Sequence, residues 1–258
     1  MKLATWNVNS IRMRQARLIA WIDRQQPDVL CMQETKVEDD RFPLELFRER
    51  GYQVALHGQK TYNGVAIASR LPMTDVVCGL PAEGGGVDEQ ARLVAAAVAG
   101  VRVVCAYVPN GQAPGTPKYE HKLGWMERLR LHLGATCDPA APFALCGDFN
   151  VAPDDRDVHD PVAWNGQIMC SEPERAALRA IAAIGLVDGL RQLRADGGLF
   201  TWWDYRQLAF PRNHGLRIDH LLLTAPLAAR LREVAIDRDE RKGKQPSDHA
   251  PVIATFDP

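Results

Sequence analysis

The chain has 258 residues, of which 46% are hydrophobic and 24% charged, with a formal net charge of −1. That composition excludes a disordered chain and supplies apolar residues enough for one large α/β domain. The near-zero charge excludes a global basic field, so any contact with nucleic acid must come from a local basic rim.

In chain order, residues 3–8 read as a strand that begins almost at the first residue. Residues 11–25 follow with Ile11, Leu18 and Ile22 at near-helical spacing, beside a basic face carrying Arg12, Arg14 and Arg17. Further short, β-rich apolar runs cover residues 28–33, 52–56, 64–69, 93–98 and 101–108. Residues 79–88, with Pro81 and three consecutive glycines, read as a long loop.

The spacing of Leu123, Met126, Leu129 and Leu133 predicts a helix over residues 118–133 with one apolar stripe. A strand at 143–146 leads into a second long loop, 150–167, rich in Asp, Pro and Asn. A third helix starts at Ser171, where an N-cap serine, Pro173 in the first turn and Glu174 three residues on form a capping box. Strands at 218–223 and 252–256 close the chain, and Arg238, Arg241, Lys242 and Lys244 form a second basic cluster between them. Each basic cluster fits a phosphate-binding rim or a solvated face equally well. Adjacent strands mixed with strand–helix–strand units predict an α/β fold of mixed sheets covered by helices, with two facing sheets fitting the strand count. No composition break or repeat divides residues 1–258, so one domain is expected.

The six cysteines contain no CxxC pair, and Cys31, Cys105 and Cys146 sit inside apolar runs where a thiol acts as a small hydrophobe. A disulfide framework and a zinc site are therefore disfavoured and a reducing compartment expected. No stretch approaches the roughly 18 apolar residues of a membrane span. The first residues also lack a signal-peptide apolar block, which points to the cytoplasm.

Four strand patterns end in polar groups that a core would not accept: Asn7 after Trp6, Gln33-Glu34, Gly147-Asp148-Phe149-Asn150, and Ser247-Asp248-His249 ahead of the last strand. Singly, each has a plain structural reading: Glu34 as a solvated strand end, Asp148 as a turn aspartate, His249 as a core histidine. Their recurrence at strand ends, where α/β sheets collect ligand-binding groups, favours a site. Hard oxygen donors without thiolates suit Mg²⁺ or Mn²⁺. Such an ion polarises a phosphoryl oxygen, a carboxylate orients or deprotonates water, and a histidine held by an aspartate stabilises the transition state. The chemistry is phosphoester hydrolysis.

Seven motifs appear in order: residues 5–9, 33–36, 62–67, 107–111, 147–150, 216–219 and 246–251. Together they resemble the exonuclease III family of abasic-site endonucleases, within the endonuclease/exonuclease/phosphatase superfamily, over essentially the whole chain. The resemblance implies a four-layered α/β sandwich with the site at one rim. It implies Glu34 as principal metal ligand with Asn7 close by, and a wider metal set of Asp148, Asn150, Asp248 and His249. Asp148 is implied to align or deprotonate the attacking water, and Asn150 to fix it or the phosphate. Tyr107 points its phenol at the phosphate or leaving oxygen, and Asp219 orients His249 on the scissile phosphate. Trp202, Leu216 and Ile218 are implied to wall an apolar slot for a sugar without its base, and Tyr62, Asn63, Arg92 and Asn110 to grip the DNA backbone. Relatives often place an aromatic residue just before the third helix; here Met169-Cys170 stand there, which implies a looser or differently shaped pocket.

The expected partner is therefore double-stranded DNA with abasic sites or 3′ ends, acted on by a monomer without a membrane. The expected reaction is Mg²⁺-dependent cleavage 5′ to the lesion, with 3′-to-5′ exonuclease and 3′-phosphodiesterase or phosphatase activity. The alternatives are a superfamily phosphatase or phospholipase acting on inositol phosphates or sphingolipids, and a catalytically silent DNA-binding module. The Trp202-Trp203 segment and the motif at Tyr107 count against the first, and the complete set of acids, amides and imidazole against the second.

Overall fold

In the computed structural model, which describes residues 1–82 and 84–257, β1 (Lys2–Asn7) shows the rule that builds the fold. Its Leu3 enters an apolar cluster with Val29, Cys31, Val103 and Cys105, while Ala4 and Trp6 enter another with Leu18, Trp21 and Ile22. A strand buried on both faces needs a covering layer on each side.

The chain continues through α1 (Ile11–Gln25), β2 (Val29–Gln33), α2 (Leu44–Arg48), β3 (Gln53–His57), β4 (Val65–Ser69) and β5 (Met73–Cys78). Next come β6 (Leu93–Val98), β7 (Val101–Tyr107), α3 (Pro117–Thr136), β8 (Phe143–Asp148), α4 (Pro161–Trp164) and α5 (Glu172–Ala182). The last elements are β9 (Leu186–Asp188), α6 (Gly189–Leu193), β10 (Asp219–Thr224), α7 (Ala225–Ala228), β11 (Leu231–Ile236) and β12 (Val252–Phe256).

The strands form two six-stranded sheets, ordered β11-β12-β1-β2-β4-β3 and β5-β6-β7-β8-β10-β9. Each sheet has one parallel pair at its centre, β1–β2 and β7–β8, with antiparallel neighbours on both sides. Their inner faces share the first cluster. α1 covers the outer face of one sheet, and α3 and α5 bring Trp125, Met126, Leu129, Leu133, Leu178 and Ile181 against the other. This is the expected four-layered α/β sandwich.

The two central parallel pairs bring the carboxyl ends of β1, β2, β7 and β8 to one rim, where the antiparallel neighbours β10 and β12 begin. Gly147 makes one of these joins possible. Its φ is +147°, and a Cβ there would lie 1.9 Å from the Ala106 carbonyl oxygen on the paired strand. Only glycine fits this approach, which sets Asp148 in register with Tyr107.

Several expectations shift. β5, β9 and β11 were not legible as strands, and of the loop expected at 79–88, Glu83 lies outside the described residues. The helix at residues 118–133 extends to Pro117–Thr136, and its stripe holds at Met126, Leu129 and Leu133 but turns at its start, where Leu123 is only half-buried while Lys122 and Trp125 are fully buried. The capping box at Ser171 is present, with its backbone N–H donating to Glu174 at 3.1 Å. All six cysteines are free, and burial pushes the Cys31 thiol well above its usual range.

A buried ion network anchors the chain beside β10. Arg217 forks onto Asp157 (Nε–Oδ1 2.6 Å, Nη2–Oδ2 3.1 Å) and reaches Asp188 at 2.7 Å. Its Nη1 also donates to His220 Nδ1 at 3.0 Å, and His220 Nε2 donates to the Val151 carbonyl at 2.8 Å. Burial and the Arg217 charge lower the pKa of His220, consistent with this neutral tautomer. Burial opposes the charged form of Asp157, yet hydrogen bonds and charges from Arg217 and Arg191 outweigh it and hold the carboxyl below its ordinary range. The stabilisation is therefore complete above an unfolded-state value of about 3.9 and is lost as pH falls through the lower folded-state value. Asp157→Asn, which leaves Arg217 under-paired in the core, should cost about 3–5 kcal/mol at neutral pH in chemical denaturation. Its acid limb should be flatter than that of the wild type; a variant with wild-type stability at pH 7 would contradict this.

Candidate active site

The rim gathers side chains from six strand ends. Asn7 at the end of β1 donates through Nδ2 to Glu34 Oε1 (2.8 Å) and to Asp148 Oδ2 (2.9 Å), joining the two sheets. Glu34 follows β2 with φ +52°, Asn150 follows β8 with φ +50°, and Asn9 follows β1 with φ +42°. Left-handed backbone is uncommon for residues other than glycine, and at these three positions it needs the support of the surrounding contacts.

Asp148 is buried and faces Asp219 across the β8–β10 register. Its Oδ1 accepts the Asn150 backbone N–H at 2.9 Å. His249 Nδ1 lies 2.9 Å from Asp219 Oδ2, and its Nε2 lies 3.7 Å from Asp148 Oδ2. Burial alone would lower the imidazole pKa, but the charges of Asp219 and Asp148 outweigh it and raise His249 to about 10. Burial pushes Asp148 up to about 7; the His249 charge opposes this, while Asp219 and Glu34 add to it. Tyr107 is driven well above the usual phenol range by burial and by the charges of Glu34 and Asp148, with the Arg92 guanidinium 4.7 Å over its ring.

Glu34, Asp148 and His249 offer ligand atoms within 4.8 Å of one another. Asp219 Oδ1 is buried without a hydrogen-bond partner. Three carboxylates around one imidazole leave an excess of negative charge on hard oxygen donors, which fits a divalent cation. Asp248 is not part of that group: its Oδ1 accepts from Asn9 (2.9 Å) and its Oδ2 from the Trp202 indole (3.0 Å). The Asn7 and Asn150 amides are likewise engaged, Asn150 Nδ2 with the Val108 carbonyl (3.0 Å) and its Oδ1 with Asn110 (3.1 Å).

Beside this centre, Tyr62, Asn63, Arg92, Tyr107 and Asn110 line one groove of about 510 Å³ with Gln90, Gln112, Lys118 and His121. The expected DNA-facing residues are thus together, and Tyr62 is 68% exposed. Leu216 and Ile218 sit in a cluster with Ala152, Val158, Met169 and Cys170, with Trp202 packed against it. Both aliphatic side chains have no exposed surface, and Met169 and Cys170 are buried, so the segment without an aromatic residue fills its wall with other side chains, as the differently shaped alternative expects. Trp202 and Trp203 pack against different clusters, Trp203 edge-on against Phe210.

One residue of each basic cluster takes a different role, while Arg12, Lys242 and Lys244 stay exposed. Arg17 binds the Lys242 and Lys244 carbonyls (2.7 and 3.2 Å), and buried Arg241 binds the carbonyls of Ser247 and Trp203. They clamp the loop that delivers His249. Sequence reasoning gave Lys36 no role, yet its Nζ lies 2.6 Å from Glu34 Oε2 and donates to Asn9 at 2.6 Å. Its position two residues past Glu34 was the only available signal. Lys122 was missed altogether.

Carboxylates and an imidazole at the rim of a two-sheet sandwich define a hydrolase of the phosphoester class. Residues 4–249 match the model of the endonuclease/exonuclease/phosphatase family. The chain is 35% identical to exodeoxyribonuclease III of Haemophilus influenzae, over 99% of this chain and 100% of that protein. It superposes on an AP endonuclease from Archaeoglobus fulgidus with a TM-score of 0.95 at 42% identity, covering 100% and 99% of the two chains. A 3′ phosphatase from Neisseria bound to a product DNA hairpin gives 0.96 at 42% identity, covering 100% and 99%. The chain belongs to the endonuclease/exonuclease/phosphatase family and, within it, to the exonuclease III group of hydrolytic nucleases.

Metal binding has a direct thermal readout. Mg²⁺ at ten times its Kd should stabilise the protein by about 1.4 kcal/mol, or about 3–5 °C in melting temperature. Glu34→Ala should stay folded and lose most of that shift; an equal shift in the variant would place the ion elsewhere.

Proposed function

We propose that the protein is a Mg²⁺- or Mn²⁺-dependent DNA-repair nuclease that cuts the phosphodiester 5′ to abasic sites in duplex DNA. On this reading it also trims nucleotides and blocking groups from 3′ ends. The observation that carries the reading is the juxtaposition of the Glu34–Asp148–His249 centre with the groove lined by Tyr62, Arg92, Tyr107 and Asn110. One catalytic domain spanning the chain performs the reaction as a monomer. Six free cysteines favour a reducing compartment, the cytoplasm, and among the described residues no helix is long and apolar enough to cross a membrane.

Glu34 and Asp148 would hold the cation, whose contribution when bound is to polarise a phosphoryl oxygen and offset charge on the leaving group. The charges of Asp219 and Asp148 raise the pKa of His249, and its ring, bonded to Asp219 through Nδ1, suits a donor to a phosphate oxygen. Asp219 fixes the ring through Nδ1, leaving Nε2 to face the phosphate. Asp148, buried beside His249 and held by the Asn150 backbone N–H, is placed to align the attacking water and accept its proton. Tyr107 stays protonated across the working range and donates to the phosphate or the leaving oxygen. Asn7 spaces the two carboxylates, and Asn150 aligns Asp148 through its backbone N–H.

Tyr62, Asn63, Arg92 and Asn110 would contact backbone phosphates, which position a duplex without reading sequence. Trp202, packed against the cluster that holds Met169, Leu216 and Ile218, would present an apolar face to a sugar that has lost its base. An intact nucleotide needs more room, so selection is by shape.

A duplex with one synthetic abasic site should be incised 5′ to the lesion with Mg²⁺ and left whole with a chelator. Glu34→Ala and His249→Ala should each lower kcat by about 10²–10⁴-fold while keeping the wild-type circular dichroism spectrum. No incision alongside turnover of an inositol phosphate would overturn the reading.

A further inference from the structure

Behind the rim lies an ion pair that the mechanism above does not use. Lys122 on α3 and Glu174 on α5 are both 0% exposed and bound to each other. Lysine and glutamate are almost never fully buried unless paired, and such a pair adds little net stability over apolar residues of the same volume. Its contacts give it another purpose.

The Lys122 ammonium donates to the Asn150 carbonyl at 2.7 Å and to the Asn110 carbonyl at 3.2 Å. The side chains of the same two asparagines bond each other at 3.1 Å. Lys122, Asn110 and Asn150 therefore close a ring, with the backbone of both asparagines held at one point and their amides at another. Asn150 has left-handed backbone, a conformation that needs such support, and its own N–H and Nδ2 hold Asp148 at 2.9 and 3.3 Å. Glu174 fixes the ammonium in place and accepts the backbone N–H groups of Met169 (3.0 Å) and Ser171 (3.1 Å). One buried pair thus ties the loop after β7, the loop after β8 and the apolar wall of the slot.

We propose that Lys122, held by Glu174, is a positioning residue for phosphodiester hydrolysis, acting through Asn110 and Asn150 on Asp148. The proposal rests on the hydrolytic reading of the site. It does not depend on which DNA lesion is the substrate.

The test compares Lys122→Met, and Lys122→Met with Glu174→Gln, against the wild type on bis(p-nitrophenyl) phosphate and on the abasic duplex. The double variant removes the stranded buried carboxylate and keeps an acceptor for the backbone of Met169 or Ser171, so it guards against simple unfolding. Both variants should lose about 10–100-fold in kcat on both substrates with KM within twofold. A folded double variant with kcat within twofold of the wild type would overturn the proposal. Turnover of the simple diester without abasic incision would count against the proposed substrate and leave this comparison intact. An activity-independent arm follows the Asn110 and Asn150 side-chain amide signals in ¹⁵N spectra, which should move in the double variant; unchanged signals would also overturn it.

Discussion

Asp148 and Asp219 face each other across two paired strands, both buried, with Glu34 close on the facing sheet. Like charges held together in low dielectric repel strongly, and most of the rim can be understood as an answer to that repulsion. His249 stands between the two aspartates, whose charges raise its pKa, and Asn7 separates Glu34 from Asp148 with one amide. What remains uncompensated is negative charge on oxygen, the condition that makes a divalent cation bind and a phosphoryl group react.

The fold supplies this arrangement from its topology. Two sheets with the same strand pattern each carry a central parallel pair, and parallel pairs end on the same side. Facing the sheets across one apolar cluster sets the two sets of ends a hydrogen bond apart, as the Asn7–Asp148 contact shows. The glycine at 147 and the left-handed residues after β2 and β8 are local concessions to that meeting. Groups farther back hold the concessions in place: Arg17 and Arg241 for the loop before His249, Lys122 and Glu174 for the loops around Asn150.

Much of this was legible in the amino-acid order because the informative residues stand where apolar runs stop. Asn7, Glu34, Asp148 and His249 each break a strand pattern, and α1 and the start of α5 carried spacing and capping signals strong enough to place them. β5 was not legible because five of its six residues are exposed at a sheet edge, and β11 because only two of its six are buried. The turn at the start of the α3 stripe escaped for a chemical reason. A lysine at position 122 reads as a solvent-facing residue, and only a glutamate 52 positions away, invisible to local pattern, lets it turn inward. Arg17 and Arg241 escaped in the same way, since clamping carbonyls and meeting phosphate call for the same side chains.

The claim on which the rest turns is that the buried carboxylates at the rim exist to hold one cation beside His249. Anomalous diffraction from crystals soaked in Mn²⁺ locates the ion without reference to activity. A single strong peak within about 2.0–2.6 Å of Glu34, on the side facing Asp148, is expected. A peak at Asp248 and Asn9 instead, or none at the rim at saturating Mn²⁺, would contradict it.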